Sequence, residues 1–472
     1  MFYCVTTDGK ADTREEVRPA SGYCIYNFLR CHSLPTRTLH HHSGKRCISY
    51  CETRKECIIP LTSQELQPLE PLTSDLLRPL GAFEELYCLF DQHFPINGAL
   101  AAEITGHTTV DQWRDALDAI QRRHPLLSVC IDTAFNRVPH FRHVAHQHIP
   151  LRVVTSPNAR WQQEVAEEIN APFTPDQSPL FRAVLLYQEK RSIFILSSHH
   201  AVCDGSSRIF LLRDMLLSLS GHDLEKLALM PSRETLFGAK QRTSTEPGLP
   251  AVVAQRPAMP YVDGIKFTAE QTTALQHRTR LEGVTIHAAI SAALTIAGRS
   301  LDESWRNSPL RIMSPAEVRD ILGLEDQCMV SLAGGEISIP PEGSMTFWNL
   351  ARFAKDGLSG VKSLESISMM IDRQSKVVST NLAVEQADQL KRNVFNAQVM
   401  FTNLGRLPFD STFGTLQLAD LWAPCALRGI DREQTLGAVT VNGSLHLTHT
   451  SPEPIPGLLT GIEEVLRKAC TS

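Results

Sequence analysis

Two apolar runs, residues 181–187 and 192–197, flank the polar turn Gln188-Glu189-Lys190-Arg191 and lead into Ser198-His199-His200-Ala201-Val202-Cys203-Asp204-Gly205. Runs of that length around a polar turn read as an antiparallel hairpin. Beyond Gly205, the residues Ile209, Phe210, Leu212, Leu216 and Leu217 recur at helical spacing, with Ser206 as the expected N-cap and Gly221 as the stop. A hairpin that feeds a helix through a two-histidine turn restricts the chain to a mixed fold containing antiparallel strands. Successive strand residues point to opposite faces, so His199 and His200 aim into one cavity only if the strand has already ended. An imidazole of unperturbed pKa about 6.5 suits proton exchange with a substrate hydroxyl near neutral pH.

The rest of the chain fits an α+β class. Thr109-Val110-Asp111-Gln112 has the form of a capping box, and Trp113, Ala116, Leu117 and Ile120 then fall on one helix face before Pro125. A second helix carries Trp161, Val165 and Ile169, and a small-residue helix over 284–297 is expected to start at Thr285. Strands are expected at 310–313, 398–402 and 436–441, the last paired with 444–448 across Asn442-Gly443, a strong hairpin signal. Leu458, Ile462 and Leu466 predict a closing amphipathic helix. Strands and helices do not alternate as in a dinucleotide fold, and no glycine-rich phosphate loop occurs. Dispersed Pro, Ser, Thr and Gly mark a linker at 236–262, which divides the chain into 1–60, 61–235 and 263–472 around it.

Composition narrows the function classes. With 42% hydrophobic and 21% charged residues the 472-residue chain has ordinary globular usage, which argues against disorder. A net charge of -5 gives no electrostatic reason to expect nucleic acid or an anionic membrane as partner. No apolar run reaches the roughly 18 residues of a transmembrane helix, and no secretory signal pattern opens the chain, so a cytoplasmic protein is expected. Six of the 12 cysteines fall early, at Cys4, Cys24, Cys31, Cys47, Cys51 and Cys57, beside His32 and His40-His41-His42. A zinc site there is conceivable, but no paired C-x-x-C spacing occurs and only Cys47 and Cys51 approach ligand spacing. Residues 1–60 are therefore expected to be a poorly structured extension, with no metal. The remaining cysteines read as small apolar residues in a reducing compartment.

His199-His200-Ala201-Val202-Cys203-Asp204-Gly205 resembles the His-His-x-x-x-Asp-Gly signature of the chloramphenicol-acetyltransferase-like superfamily. That superfamily includes condensation domains of peptide synthetases, alcohol acetyltransferases and the mycobacterial acyltransferases that esterify phthiocerol. Arg122-Arg123-His124-Pro125-Leu126-Leu127, Ala171-Pro172-Phe173, Pro179-Leu180-Phe181-Arg182, Thr402-Asn403-Leu404-Gly405 and the Asn442-Gly443 hairpin extend the resemblance over residues 61–472. Thr412-Phe413-Gly414-Thr415 is only a fragment of the plant D-F-G-W-G segment, which leaves the chain nearer the condensation and alcohol-acyltransferase branches.

The resemblance implies two chloramphenicol-acetyltransferase-like lobes in a V around a central tunnel. It also implies a monomeric O-acyltransferase that needs no cofactor, taking an acyl group from acyl-CoA or an acyl carrier protein to a small-molecule or lipid alcohol. His200 would be the general base and His199 structural. Asp204 would pair with an arginine of the other lobe, Arg319 first and Arg311 second, while Gly205 permits the tight turn and offers its N–H near a helix N-terminus. Asn403 and Ser331 are the candidates for an oxyanion or tunnel role, although an asparagine before a glycine turn also serves as a local backbone cap. Cys203 stands at a variable position of the signature, which argues against a covalent acyl-enzyme. Two alternatives stay open, a stand-alone condensation enzyme forming an amide and a catalytically silent binding protein of the same fold.

Overall fold

A computed structural model describes residues 75–133, 138–240, 258–324, 326–341, 343 and 345–471, all within one compact unit of residues 56–472. The expected extension at 1–60, its zinc question and most of the linker lie outside the described residues.

The motif hairpin forms between strands Phe181–Leu186 and Arg191–His199. The second of these also pairs antiparallel with Asn97–Thr105, from Asn97 opposite His199 to Thr105 opposite Arg191. Period-two alternation then decides what each face meets. Leu100, Ala102, Ile104, Phe194 and Leu196 pack in one core with Trp113 and Leu117 of helix Val110–Arg123 and Leu211, Leu212 and Met215 of helix Gly205–Leu219. Ala99, Ala101, Val184 and Ile195 face Trp161, Val165 and Ile169 of helix Trp161–Asn170. Both faces are covered, which is why these strands read as nearly continuous apolar runs.

A second six-stranded sheet runs Leu332–Ile339, Leu310–Glu317, Val399–Arg406, Gln434–Val441, Ser444–Ser451 and Tyr261–Lys266. The hairpin turn at Asn442 (φ 50°) and Gly443 (φ 77°) has the two positive φ values that the Asn-Gly pair predicts. Helix Ile286–Leu301, capped by Thr285, buries Ala288, Ala289, Ala292, Ala293 and Ala297 and packs closely on helix Leu458–Thr471. A Cβ on Gly461 would stand 3.1 Å from that of Ala297. Strand 310–317 outruns the expected 310–313 because it pairs with 332–339 along its whole length. Pro315 is tolerated within it because pairing to the other neighbour, 399–406, is confined to Ile312 and Met313.

The two sheets are interlocked. Strands Thr412–Phe413 and Leu416–Ala426 come from the second half of the chain, yet 416–426 pairs antiparallel with Asn97–Thr105 and completes the first sheet, whose order is 412–413, 416–426, 97–105, 191–199, 181–186, 151–154. On its way the strand packs on 434–441, where a Cβ at Gly437 would lie 2.2 Å from the Pro424 carbonyl oxygen. A division at residue 263 therefore does not coincide with sheet membership. Among the described residues no single helix is long and apolar enough to cross a membrane.

Candidate active site

Strand 191–199 ends at His199, and the backbone N–H of His200 donates to Ile96 O at 3.0 Å. The two histidines diverge there. His199 is fully buried, and its Nδ1 accepts from Ala201 N–H at 3.0 Å, so its ring proton sits on Nε2, 3.5 Å from Asp91 Oδ2. Asp91 in turn accepts from Ile96 N–H at 2.7 Å. His199 thus braces the turn from inside. His200 is half-buried and stacks on Tyr87, with ring centroids 4.3 Å apart at 17°, and Tyr87 stacks on Phe83 at 4.7 Å. Its Nδ1 is enclosed and bonds to no described residue. Burial, then the positive charge of Arg208, push the imidazole down to about 3 against the pull of Asp204. The ring is neutral near pH 7, the form that can accept a proton.

Asp204, not Ser206, caps helix 205–219: its Oδ1 accepts from Ser207 N–H at 2.8 Å. An aspartate at that position satisfies an orphan N–H and also meets the positive end of the helix dipole, which a serine one residue into the helix does not. Arg319 closes on the same carboxylate with both terminal nitrogens, Nη1 to Oδ2 at 3.0 Å and Nη2 to Oδ1 at 3.1 Å, and Ser331 N–H donates to Oδ2 at 2.9 Å. Arg319 Nη2 also reaches Ser207 Oγ at 2.7 Å and Met329 O at 2.9 Å. Burial works against ionisation of Asp204, but the guanidinium and the two N–H donors outweigh it and hold the carboxyl below the usual range. Both of its oxygens are engaged away from His200.

Arg311 lies elsewhere, in a bidentate pair with Glu336 at 2.7 and 2.9 Å and a bond to Asn396. Asn403 turns its Oδ1 onto Gly405 N–H at 2.8 Å, the local cap, with Gly405 at φ 72°. Ser331 is fully buried with a hydroxyl that bonds to no described group. Gly205 faces Leu404, whose Cδ2 would stand 3.1 Å from an added Cβ. Cys203 and Cys328 are buried free thiols beside the loop, Cys328 Sγ donating to Val202 O at 3.4 Å. Among the described residues no three His, Cys, Asp or Glu side chains converge to hold a metal.

Tyr87, Asp91, Gly98 and Arg208 also shape the site, and sequence reasoning passed over them. Only Arg208 left a trace, a cation in the first turn of the motif helix four residues after Asp204.

Comparison with known proteins finds a shared fold. The family model "Condensation domain" matches residues 88–229, and "Phthiocerol/phthiodiolone dimycocerosyl transferase C-terminus" matches residues 256–325. A linear gramicidin synthase of Brevibacillus parabrevis is 26% identical over 302 residues, covering 55% of this chain and 4% of that protein. A surfactin synthase of Bacillus subtilis is 27% identical over 168 residues, 34% of this chain and 5% of that one. The chain therefore spans only a small fraction of the curated relatives it matches. Polyketide synthase associated protein 5 from Mycobacterium tuberculosis superposes with a TM-score of 0.59 at 15% identity, over 86% of this chain and 100% of its own. A trichothecene 15-O-acetyltransferase from Fusarium sporotrichioides does so with a TM-score of 0.59 at 12% identity, over 88% and 100%.

Proposed function

We propose that this chain, a member of the condensation-domain and chloramphenicol-acetyltransferase-like superfamily, is an O-acyltransferase that moves an acyl group from a CoA or carrier-protein thioester to an alcohol. The observation that carries this reading is the setting of His200: an imidazole with Nδ1 enclosed and unbonded, on a turn clamped by Asp204 and Arg319. A hydroxyl attacks a thioester slowly unless a base takes its proton as the C–O bond forms. His200 takes that proton, the tetrahedral intermediate carries its charge on the former carbonyl oxygen, and collapse expels the thiolate, to which His200 returns the proton. Ser331 Oγ, buried and unbonded beside the clamp, is the candidate donor to that oxygen. Asp204 is not the third member of a triad, because Arg319, Ser207 and Ser331 occupy its oxygens.

A trichothecene 15-O-acetyltransferase among the structural relatives supports the ester product. The peptide-synthetase relatives favour a second reading, amide formation. We place the protein in the cytoplasm as a monomer that needs no metal or cofactor beyond its thioester donor.

The test uses acetyl-CoA and octanoyl-CoA with panels of primary alcohols and primary amines, following thiol release and product mass. Alcohol-dependent release is expected, and His200→Ala should lower it roughly a hundredfold to ten-thousandfold, the range for loss of a general base, with the melting temperature nearly unchanged. Near-wild-type turnover in that variant removes His200 from the mechanism. Turnover with amines alone selects the second reading, and a folded protein that transfers from neither thioester nor from a loaded carrier protein is a binding protein of this fold.

A further inference from the structure

Arg208, on the first turn of helix 205–219, is only 2% exposed. Its Nε donates to Ser198 Oγ at 3.1 Å and its Nη2 to Cys203 O at 3.3 Å. Among the described residues it has no carboxylate partner, whereas the buried Arg78, Arg233, Arg319 and Arg428 meet Glu84, Glu234, Asp204 and Glu433. An uncompensated cation in a protein interior is costly, so its retention calls for a use.

Its seat is specific. Gly98 lies directly across the ladder from Ser198, and a Cβ there would stand 2.2 Å from Arg208 Nη2 and 2.5 Å from its Cζ and Nη1. The guanidinium therefore rests against the backbone of Gly98, in space that no other residue type leaves free. From this seat it bonds to the last strand residue before the two histidines and to the loop carbonyl after them. His200 stacks on Tyr87 of helix Ala82–Asp91, and the titratable or charged groups that act on its ring are Arg208 from the helix beyond, Asp204 from the turn and His199 from its own strand. Asp204, paired with Arg319, pulls the other way, and Arg208 is the larger of the two charges acting on the ring.

We propose that Arg208 is a positioning residue for the transfer reaction: seated on Gly98, it ties Ser198 to the Cys203 carbonyl, fixes the turn that presents His200 and keeps an unmatched positive charge beside the imidazole. This rests on His200 being the base. The charge opposes protonation of the resting ring; the contribution to rate comes from the fixed turn, which holds the imidazole where it meets the acceptor hydroxyl.

Three measurements test this on the full chain. In ¹⁵N-histidine-labelled protein, Arg208→Gln should raise the pH at which His200 takes its proton, while Arg208→Lys, which keeps the charge, should leave it low; identical titration in wild type and Arg208→Gln overturns the proposal, since a purely structural arginine would move the melting temperature alone. With the thioester and alcohol above, Arg208→Gln should lower kcat at least tenfold with both KM values within about threefold, and should cost little more in a His200→Ala background. The same fold-loss in both backgrounds means that Arg208 does not act through His200. Gly98→Ala should lower the melting temperature in wild type and much less when combined with Arg208→Ser; additive losses deny the seat on Gly98. If His200→Ala itself keeps full activity, the assignment of His200 as base fails, while the titration and the Gly98 cycle still report on Arg208.

Discussion

Asp204 and Arg319 form a bidentate pair in which both side chains are nearly free of solvent, at 0% and 2% exposure. Removing one partner leaves the other charged and buried, which typically costs about 3–5 kcal/mol, whereas removing both leaves only a polar void. We expect Asp204→Asn and Arg319→Met each to lower the melting temperature and the transfer rate together, and the double variant to lose much less than the sum. A double-mutant cycle read by denaturant melts and initial rates measures this, and strictly additive losses would show that the pair is not coupled. Asp204 and Arg319 were legible in sequence because the signature fixes one and the segment Met313 to Arg319 offers the other. Arg208 was not, because nothing in a linear sequence says that a glycine 110 positions earlier vacates the space for its guanidinium.

The strands and helices owe their function to where they end and what they strap together. The connection between strands 310–317 and 332–339 reaches across to the motif helix: Arg319 and Ser331 hold Asp204, Met329 N–H donates to Ser207 Oγ at 3.0 Å, and Asp326 accepts from Arg213 at 2.8 Å and Arg123 at 3.2 Å. Arg123 and His124 also share Asp214, at 2.7 and 2.8 Å, which binds the end of helix 110–123 to the same strap. The crossing strand 416–426 supplies the other tie. At Gly437 an added methyl meets the Pro424 carbonyl oxygen and the Thr448 hydroxyl, and the backbone oxygen has no room to yield. Gly437→Ala should therefore destabilise by about 1–3 kcal/mol, the usual range for overpacking, with activity falling in parallel as the sheets separate. A chemical melt with wild-type stability would show that this contact is not tight in solution.

Because one sheet borrows a strand from the far half of the chain, residues 75–471 should unfold in one cooperative step, and the pH dependence of that step follows from buried imidazoles. His449 is 1% exposed, hydrogen-bonded to Gln434 at 2.8 Å, and burial pushes it down to about 4 against a weaker pull from Asp263. His287, stacked on Phe401, is likewise pushed down to about 4 by burial. A histidine neutral in the fold gains a proton first when unfolded, so its contribution is complete above pH about 6.5 and is lost as pH falls toward its folded value. Each such histidine costs about 1.4 kcal/mol per pH unit below 6.5. The depressed Asp204 and Asp214 add their loss only at lower pH still. Melting temperature should thus decline from pH 7 to pH 5, and His449→Gln should flatten that slope; a flat wild-type profile would contradict the buried neutral state.

The sequence by itself determined the local pieces: the motif hairpin, the helix capped at Thr109, the alanine-rich helix after Thr285 and the Asn-Gly hairpin. Their signals are periodicity, caps and turn chemistry, which act over a few residues. Tertiary structure alone decided that strand 416–426 joins the first sheet, that strand 310–317 runs on through Pro315, that Asp204 rather than Ser206 caps the motif helix and that Arg208 rests on Gly98. Each of these depends on which distant backbone completes a ladder or fills a space, and that free energy exists only once the chain has folded.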